Sequence, residues 1–283
     1  MGKSAFFFQK ASLLLQDENP AAMQNLEMPL AYRDFFHSSD VFEVPDITGS
    51  AHEQAVCGVS VPPEAPLPPR WKAVPVRQIL STLTTGANGN NHAGRMLRAF
   101  HIAQWRLESR FCGSCGCKNT DAAIGSVSGD DIADGPARLC PSCGRMEFSR
   151  IAPAVMVRIT NGEGKILLAH NKKFAPGVYS LIAGFVEAGE TLEAATARET
   201  REETGIEIGD IRYLASQPWP FPHSLMICYS ARYVSGSLKP DGIEIEEAQW
   251  FDRSSLPALP LPGSVARRLI EQWLDANILP NPT

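Results

Sequence analysis

No stretch of about 18 consecutive apolar residues occurs in the 283-residue chain, so no transmembrane helix and no membrane partner are expected. A secretory leader is not expected either. Lys3 precedes Phe6, Phe7 and Phe8, but Gln9 and Lys10 break the apolar run before Leu13, and no small-residue cleavage site follows. The start MGKSAF puts Phe6 where a myristoylation motif needs Ser or Thr. The last three residues, Asn281, Pro282 and Thr283, are not a peroxisomal address. The expected location is the cytoplasm. Positive charge is not in excess: 26 Lys and Arg face 31 Asp and Glu, a net charge of −5. A global basic field that gathers nucleic acid is therefore excluded. Cysteine is present in an odd number, seven, which without a leader argues for metal ligands and free thiols over disulfides. There is no internal repeat.

What the chain does contain fits a globular protein with a proper core: 44% hydrophobic and 20% charged residues over a length that suggests two or three compact units. Residues 1–109 read as an N-terminal α+β domain of mixed character. Within it, residues 61–70 (VPPEAPLPPR) are proline-rich and extended, better read as a loop than as a partner ligand. Residues 91–107 have helical periodicity through Met96, Leu97, Phe100 and Ala103, with His101 and Trp105 as packing residues.

Residues 110–147 carry two knuckles, Cys112-x2-Cys115 and Cys140-x2-Cys143, separated by 24 residues and each followed by glycine. Four thiolates at this spacing suit one tetrahedral Zn²⁺ with no open position, hence a structural zinc ribbon. A unit of this size buries too little surface to fold alone, and zinc contributes on the order of 10 kcal/mol in such units. A redox pair or buried free thiols is the competing reading. Cys117 is a fifth thiol beside the site, although Cys115 fits the spacing better. Residues 125–131 (GSVSGDD) look like a hairpin tip, and Cys57 and Cys228 like small buried hydrophobes.

The densest signal lies in residues 184–206, GFVEAGETLEAATARETREETGI. Residues 191–204 lack Gly and Pro and are rich in helix formers, and Gly205 follows as a C-cap. On that helix Glu199, Glu202 and Glu203 share one face, being spaced i, i+3 and i+4. Gly184 and Gly189 bracket a tight loop in front of it. Three carboxylates on one face can be a solvated acidic surface. In a cleft of effective dielectric ~20, two of them ~4 Å apart would repel by about 4 kcal/mol and call for a cation. Carboxylates at this density select hard ions such as Mg²⁺ or Mn²⁺. Arg198 is placed to orient a carboxylate by a bidentate pair, and Glu190 to brace the loop.

Residues 148–283 read as a third unit. Strands are expected at 154–159 and 165–169 around the turn Asn161-Gly162-Glu163-Gly164, then near 211–214, 225–234 and 247–251. Ser264 caps a last helix reaching about Leu274. Between them, SQPWPFPHSLM (216–226) holds three prolines in five residues, which excludes a helix and most central strand positions. Trp219 and Phe221 are then either inward packing residues of a stiff loop or a platform for a flat ring.

The arrangement G-x5-E-x7-R-E-x-x-E-E-x-G formed by Gly184, Glu190, Arg198, Glu199, Glu202, Glu203 and Gly205 resembles the Nudix box. A four-Cys ribbon before it and S-Q-P-W-P-F-P-x-S after it resemble, in that order, the NADH pyrophosphatase and NAD-capped RNA hydrolase subfamily of Nudix hydrolases. The resemblance covers about residues 110–274, including RIAPA (150–154) and GSVARRLI (263–270). It implies an α/β/α sandwich around a mixed sheet, preceded by the zinc ribbon and the N-terminal domain. It implies hydrolysis of NADH or NAD⁺ at the pyrophosphate to nicotinamide mononucleotide and AMP, and extends to removal of NAD caps from RNA. By resemblance, Glu199 and Glu203 are metal ligands and Glu202 a ligand or general base. The Ala183 carbonyl and Glu244 complete the site, with Glu246 and Glu247 close in sequence to Glu244.

Phe185 and Trp219 would stack on the nicotinamide or adenine ring. Gln217, Pro218, Pro220, Phe221, Pro222, His223, Ser224 and Ala266 would line the pocket, and Arg77 resembles a substrate contact. A homodimer is implied, with the tryptophan loop of one subunit reaching the other's site. Three departures stand out. Thr200 replaces an aliphatic residue, the ribbon hairpin is elongated, and Phe148-Ser149-Arg150 stands where Tyr-Pro-Arg is usual, so Phe148 can stack but not hydrogen-bond. A broader ADP-ribose-type hydrolase and a non-catalytic dinucleotide-binding regulator are the alternatives. The first is disfavoured by SQPWPFP and the second by the intact box.

Overall fold

A computed structural model describes residues 4–16, 28–36, 40–44, 56–83, 89–123, 127–128, 131–132 and 135–276. Most of the expected ribbon tip at 125–131 and the C-terminal tripeptide lie outside the described residues. The chain divides into two units, Met1–Arg150 and Ile151–Thr283.

In the first unit, β1 (Ser4–Gln9) is the hub of a sheet, and the phenylalanines that begin the broken apolar run are its core. β1 pairs antiparallel with β2 (Ser12–Gln16) and with β3 (Met28–Pro29). β4 (Asp40–Val44) pairs antiparallel with β5 (Val56–Ser60), which runs parallel to β1. β6 (Trp71–Pro75) closes the other edge against β2. Both faces of β1 are covered. Phe7 packs with Leu14, Phe36 and Trp71, while Phe8 meets Phe100 at 5.5 Å between centroids. Phe100 sits on α2 (Gly89–Glu108), which follows α1 (Val76–Leu83). Trp105 of α2 is buried, and a His101 ring nitrogen lies 2.8 Å from the Arg150 carbonyl oxygen.

The ribbon completes this unit. It comprises β7 (Thr120–Asp121), the short pair β8 (Val127–Ser128) and β9 (Asp131–Ile132), then β10 (Ala137–Leu139) and β11 (Met146–Phe148), with β10 central between β11 and β7. One side chain ties it to the sheet. Arg106 of α2, only 8% exposed, donates from Nε to Asp40 at 2.8 Å and from Nη1 to Asp121 at 2.5 Å. Arg138 of β10 donates to the same Asp121 oxygen at 2.6 Å. Because Asp40 and Asp121 are each about half exposed, losing one of them should cost less than the ~3–5 kcal/mol typical of a fully buried pair.

In the second unit, β12 (Ala152–Thr160) and β13 (Ile166–Asn171) flank the expected turn. There Asn161 Oδ1 accepts from the backbone N–H of Glu163 and of Lys165, both at 3.0 Å, and Gly164 takes φ +77°. β14 (Ile182–Phe185) precedes α3 (Leu192–Thr204). β15 (Ile206–Trp219), β16 (Ser224–Gly236), β17 (Ile245–Phe251) and α4 (Val265–Asp275) follow. The order is β15-β16-β12-β13-β17, with β14 also on β12. Only β12 and β16 run parallel, so the sheet is mixed.

Strand alternation sends Val155, Val157 and Ile159 to one face with Ala195 of α3, and Ala154 and Met156 to the other with Val265, Leu269 and Ile270 of α4. Two helices on opposite faces make the α/β/α sandwich. Each fully buried aliphatic side chain in these layers contributes about 1.5–3 kcal/mol. Thr196, Thr200 and Thr204 are wholly buried on the back of α3, and each hydroxyl donates to the carbonyl four residues earlier, at 2.7, 2.8 and 2.5 Å. Thr200 therefore packs where an aliphatic side chain is usual without stranding its hydroxyl.

Candidate active site and cysteine cluster

α3 begins at Thr191, whose side chain accepts from the Ala194 N–H at 3.2 Å, and ends at Gly205 in the left-handed region at φ +73°. These caps fix which face carries the acids. Glu199 (15% exposed) and Glu203 (7%) point inward and Glu202 (60%) outward. Arg198 grips Glu190 with both edges of its fork, Nε to Oε1 at 2.6 Å and Nη2 to Oε2 at 2.8 Å. Its Nη1 reaches Glu199 at 2.9 Å and Glu202 at 3.0 Å, and Nη2 also donates to the Phe185 carbonyl at 3.0 Å. Glu190 in turn accepts from the Glu187 N–H at 3.0 Å. The Arg198 hydrogen bonds hold the Glu190 carboxyl down at about 2. Thus one guanidinium locks the loop, β14 and two helix carboxylates into one geometry.

Gly184 belongs to β14, paired with Val155, rather than to the loop expected of it. Its value is space, because a Cβ here would stand 1.9 Å from the Glu199 carboxyl carbon. Ala183, next to it, pairs with Met156 and packs against the α4-side core.

Burial, then the charges of Glu199, Glu244, Asp241 and Glu202, push the Glu203 carboxyl up to about 8. Burial likewise raises Glu199 in spite of its pairing with Arg198. Among the three candidate acids near the start of β17, Glu244 bears on Glu203. Glu246 lies 3.7 Å from His170, and Glu247 accepts a hydrogen bond from the Tyr179 hydroxyl.

Asp241, not anticipated from the sequence, organises this loop. Its Oδ1 accepts from the N–H groups of Ile243, Glu244 and Ile245 at 3.0, 3.2 and 2.9 Å, and its own N–H donates to the Glu203 carbonyl at 3.2 Å. Burial alone would raise Asp241, but these backbone donors outweigh it and hold it below its usual value. The turn dipeptide Asp241-Gly242 was the available signal.

The proline-rich stretch is the tip of a hairpin. β15 runs on through Gln217 and Pro218 to Trp219, which pairs with Ser224, leaving residues 220–223 as the turn. β15 is an edge strand, which is where a proline without an N–H is tolerated. Trp219 is half-buried against the α4-side core and meets Phe221 edge-on at 5.1 Å. Pro220 and Ser224 are buried, Pro222 is exposed and His223 half-buried. Phe185 is exposed, at 54%.

Two expected pocket residues also serve the fold. The Gln217 amide donates to the Gly263 carbonyl at 2.9 Å and accepts from the Val265 N–H at 2.7 Å, fastening the start of α4. The Ala266 side chain is buried in the core. Arg77, near the start of α1, and Phe148, at the end of β11, belong to the first unit.

In the ribbon, Cys112, Cys115, Cys140 and Cys143 bring their sulfurs within 4.8 Å of one another, and Cys117 is not among them. Three separations are 3.4, 3.6 and 3.7 Å, close to the ~3.8 Å edge of a tetrahedron with Zn–S near 2.3 Å. The knuckles repeat each other. Gly116 N–H donates to Cys112 O and Gly144 N–H to Cys140 O, both at 2.9 Å, with the glycines at φ +74° and +75°. No cysteine is in a disulfide, and Cys57 and Cys228 are buried. The cage fits a structural metal.

Comparison with known proteins agrees with this geometry. The NUDIX domain description matches residues 150–274. The NAD-capped RNA hydrolase NudC of Chromobacterium violaceum is 38% identical over 270 residues, covering 95% of this chain and 90% of that protein. The chain belongs to the NudC family of Nudix hydrolases. Family proteins of the same name from Deinococcus radiodurans (40% identical, 80% of this chain and 76% of that one) and Pseudomonas aeruginosa PAO1 (44%, 62% and 59%) match as well. The match to the last spans just under three-fifths of its length.

As a NudC-family hydrolase, the chain should present a cradle for hard cations, and the carboxylate cluster fits one. Glu203 Oε2 is buried with no hydrogen-bond partner, the kind of atom that a cation satisfies. The neighbouring donors are oxygens, as Mg²⁺ and Mn²⁺ prefer. No described helix is long and apolar enough to cross a membrane.

Proposed function

We propose that this NudC-family hydrolase cuts the pyrophosphate bond of NADH or NAD⁺ with Mg²⁺ or Mn²⁺, releasing nicotinamide mononucleotide and AMP, and that the same bond in NAD-capped RNA is a second substrate. The observation that carries the reading is the partnerless, charge-crowded Glu203 beside Glu199, Glu202 and Glu244. Glu199 and Glu203 would hold the cation, with Glu244 and the Ala183 carbonyl completing the donor set. A cation held there would supply positive charge to offset that of the pyrophosphate and of the leaving phosphate, and would lower the pKa of a water bound to it.

Glu202 is the most exposed of the three helix acids and is the group to accept a proton from the attacking water. Arg198 keeps Glu199 and Glu202 in place through its pair with Glu190. Phe185 and Trp219 supply aromatic faces for a base or the nicotinamide, and residues 217–224 with Ala266 shape the pocket, Gln217 and Ala266 by supporting α4. Zn²⁺ in the four-Cys cage would be structural. The names of the relatives support NAD-capped ends as targets. The reading includes a cytoplasmic homodimer.

The test is turnover of NADH with Mg²⁺ or Mn²⁺, products resolved by chromatography, beside ADP-ribose and a Glu203→Gln control. Release of reduced nicotinamide mononucleotide and AMP, lost in the variant, supports the assignment. Faster cleavage of ADP-ribose than of NADH would favour the broader hydrolase. Binding without cleavage in the unmodified protein would remove the catalytic claim.

A further inference from the structure

The carboxylate cluster leaves unexplained a concentration of positive charge elsewhere in the second unit. A cavity of about 450 Å³ is lined by Arg158, Arg232, Arg253, Trp273 and the turn 161–164. Its volume is in the range of small-ligand sites. Glu163 is the carboxylate in the lining, and it lies 2.9 Å from Lys165 Nζ. Thr160, at this end of β12, is four residues beyond Met156, the partner of Ala183. The cavity therefore lies about 13 Å along the strand from the level of Ala183.

Helix capping accounts for part of the cluster only. Arg253 stacks on Trp273 at 4.5 Å and donates from Nη1 to the Trp273 carbonyl and, at 2.7 Å, to that of Leu274. Arg158 is half-buried, yet its Nη1 reaches no closer than 3.4 Å to the Leu269 carbonyl, and among the described residues no carboxylate pairs with it. Burial lowers its pKa without a compensating charge. Arg232 lies 3.7 Å from Asp210, which Arg212 holds more closely at 2.8 Å. Three arginines line one concavity, two of them weakly neutralised, which suits an oxyanion with several acceptor atoms.

We propose that Arg158, Arg232 and Arg253 form a phosphate-binding site at the C-terminal end of α4, separate from the carboxylate cluster. The phosphate comes either from a mononucleotide or from the phosphodiester backbone of an RNA chain.

The test uses the zinc-loaded full chain in buffer free of Mg²⁺ and Mn²⁺, where the acidic cluster repels phosphate. Inorganic phosphate is titrated by calorimetry and by the indole N–H shift of Trp273, assigned with Trp273→Phe. Arg232→Glu is exposed enough to leave the fold intact, and Lys72→Glu, an exposed residue of the first unit, controls for net charge. Saturable binding that weakens at least about tenfold in Arg232→Glu and not in Lys72→Glu is expected. Binding equal in all three proteins, or no saturation by ~20 mM, would overturn the site and leave the arginines as helix caps. AMP and a hydroxyl-ended tetrauridylate separate the sources. Tighter AMP binding assigns the site to a mononucleotide, whereas tighter oligomer binding with a steep salt dependence assigns it to RNA.

Discussion

Glu203→Gln should make the cation-free protein more stable at alkaline pH while abolishing turnover. Crowding by burial and four acids holds the Glu203 carboxyl at about 8 instead of its ordinary 4.5. Below 4.5 it is protonated in both the folded and unfolded chains. Between 4.5 and 8 the folded chain keeps a proton that the unfolded chain has lost, so stability falls as pH rises across that window. At about 1.4 kcal/mol per tenfold, the full loss is at most about 5 kcal/mol. For a unit of this size that is up to about 15 °C in melting temperature. Glutamine keeps the shape without the charge, so its melting temperature should fall clearly less over the same range, the raised Glu199 carboxyl leaving a smaller slope. The assay is a set of thermal melts from pH 5 to 9 without divalent ions, repeated with Mg²⁺ or Mn²⁺. The cation should restore the unmodified protein at pH 8 and 9 and barely move the variant. A flat unmodified profile in the absence of cation, or the same slope in both proteins, would refute the reasoning that Glu203 is a desolvated, crowded acid awaiting a counter-ion.

Gly184→Ala places a methyl 1.9 Å from the Glu199 carboxyl carbon, the mobile end of a side chain. It should cost less than about 2 kcal/mol of stability but lower kcat at least about 100-fold. Equal kcat in a folded variant would sink the cradle argument. Asp241→Ala frees three backbone N–H groups and the loop bearing Glu244, so the cation concentration for half-maximal activity should rise about tenfold or more. Asp241→Asn, which keeps an acceptor, should recover part of it, and an unchanged cation requirement in both would exclude a positioning role. Cys140→Ser should remove the bound metal, read by elemental analysis against one ion per unmodified chain, and expose the ribbon to protease.

Local chemistry was legible in the sequence where it is decided within a few residues. The caps Gly205 and Ser264, the Asn161–Gly164 turn and the Cys knuckles all depend on neighbours in the chain. What escaped depends on partners brought close by folding. Gly184 looks like a loop residue until Glu199 is seen across from it, and the tie between the Gln217 amide and the start of α4 spans 48 residues that no local pattern joins. Pro218 obscured the length of β15, because whether a strand tolerates proline depends on its place at the sheet edge. Asp241 carried only a turn signal, since the N–H groups it gathers serve an acid three residues on.

The guanidinium of Arg106 gives the four-Cys cage reach over residues it never touches. Asp40 comes from the N-terminal sheet and Asp121 from the ribbon, and both close on one buried cation. If the cage empties and the ribbon loosens, Asp121 withdraws and the charge on Arg106 is left half-compensated inside the first unit. The penalty then falls on a sheet assembled from the first residues of the chain. In protein stripped of metal, damage should therefore appear first as proteolysis of the N-terminal half, ahead of any change in the carboxylate cluster.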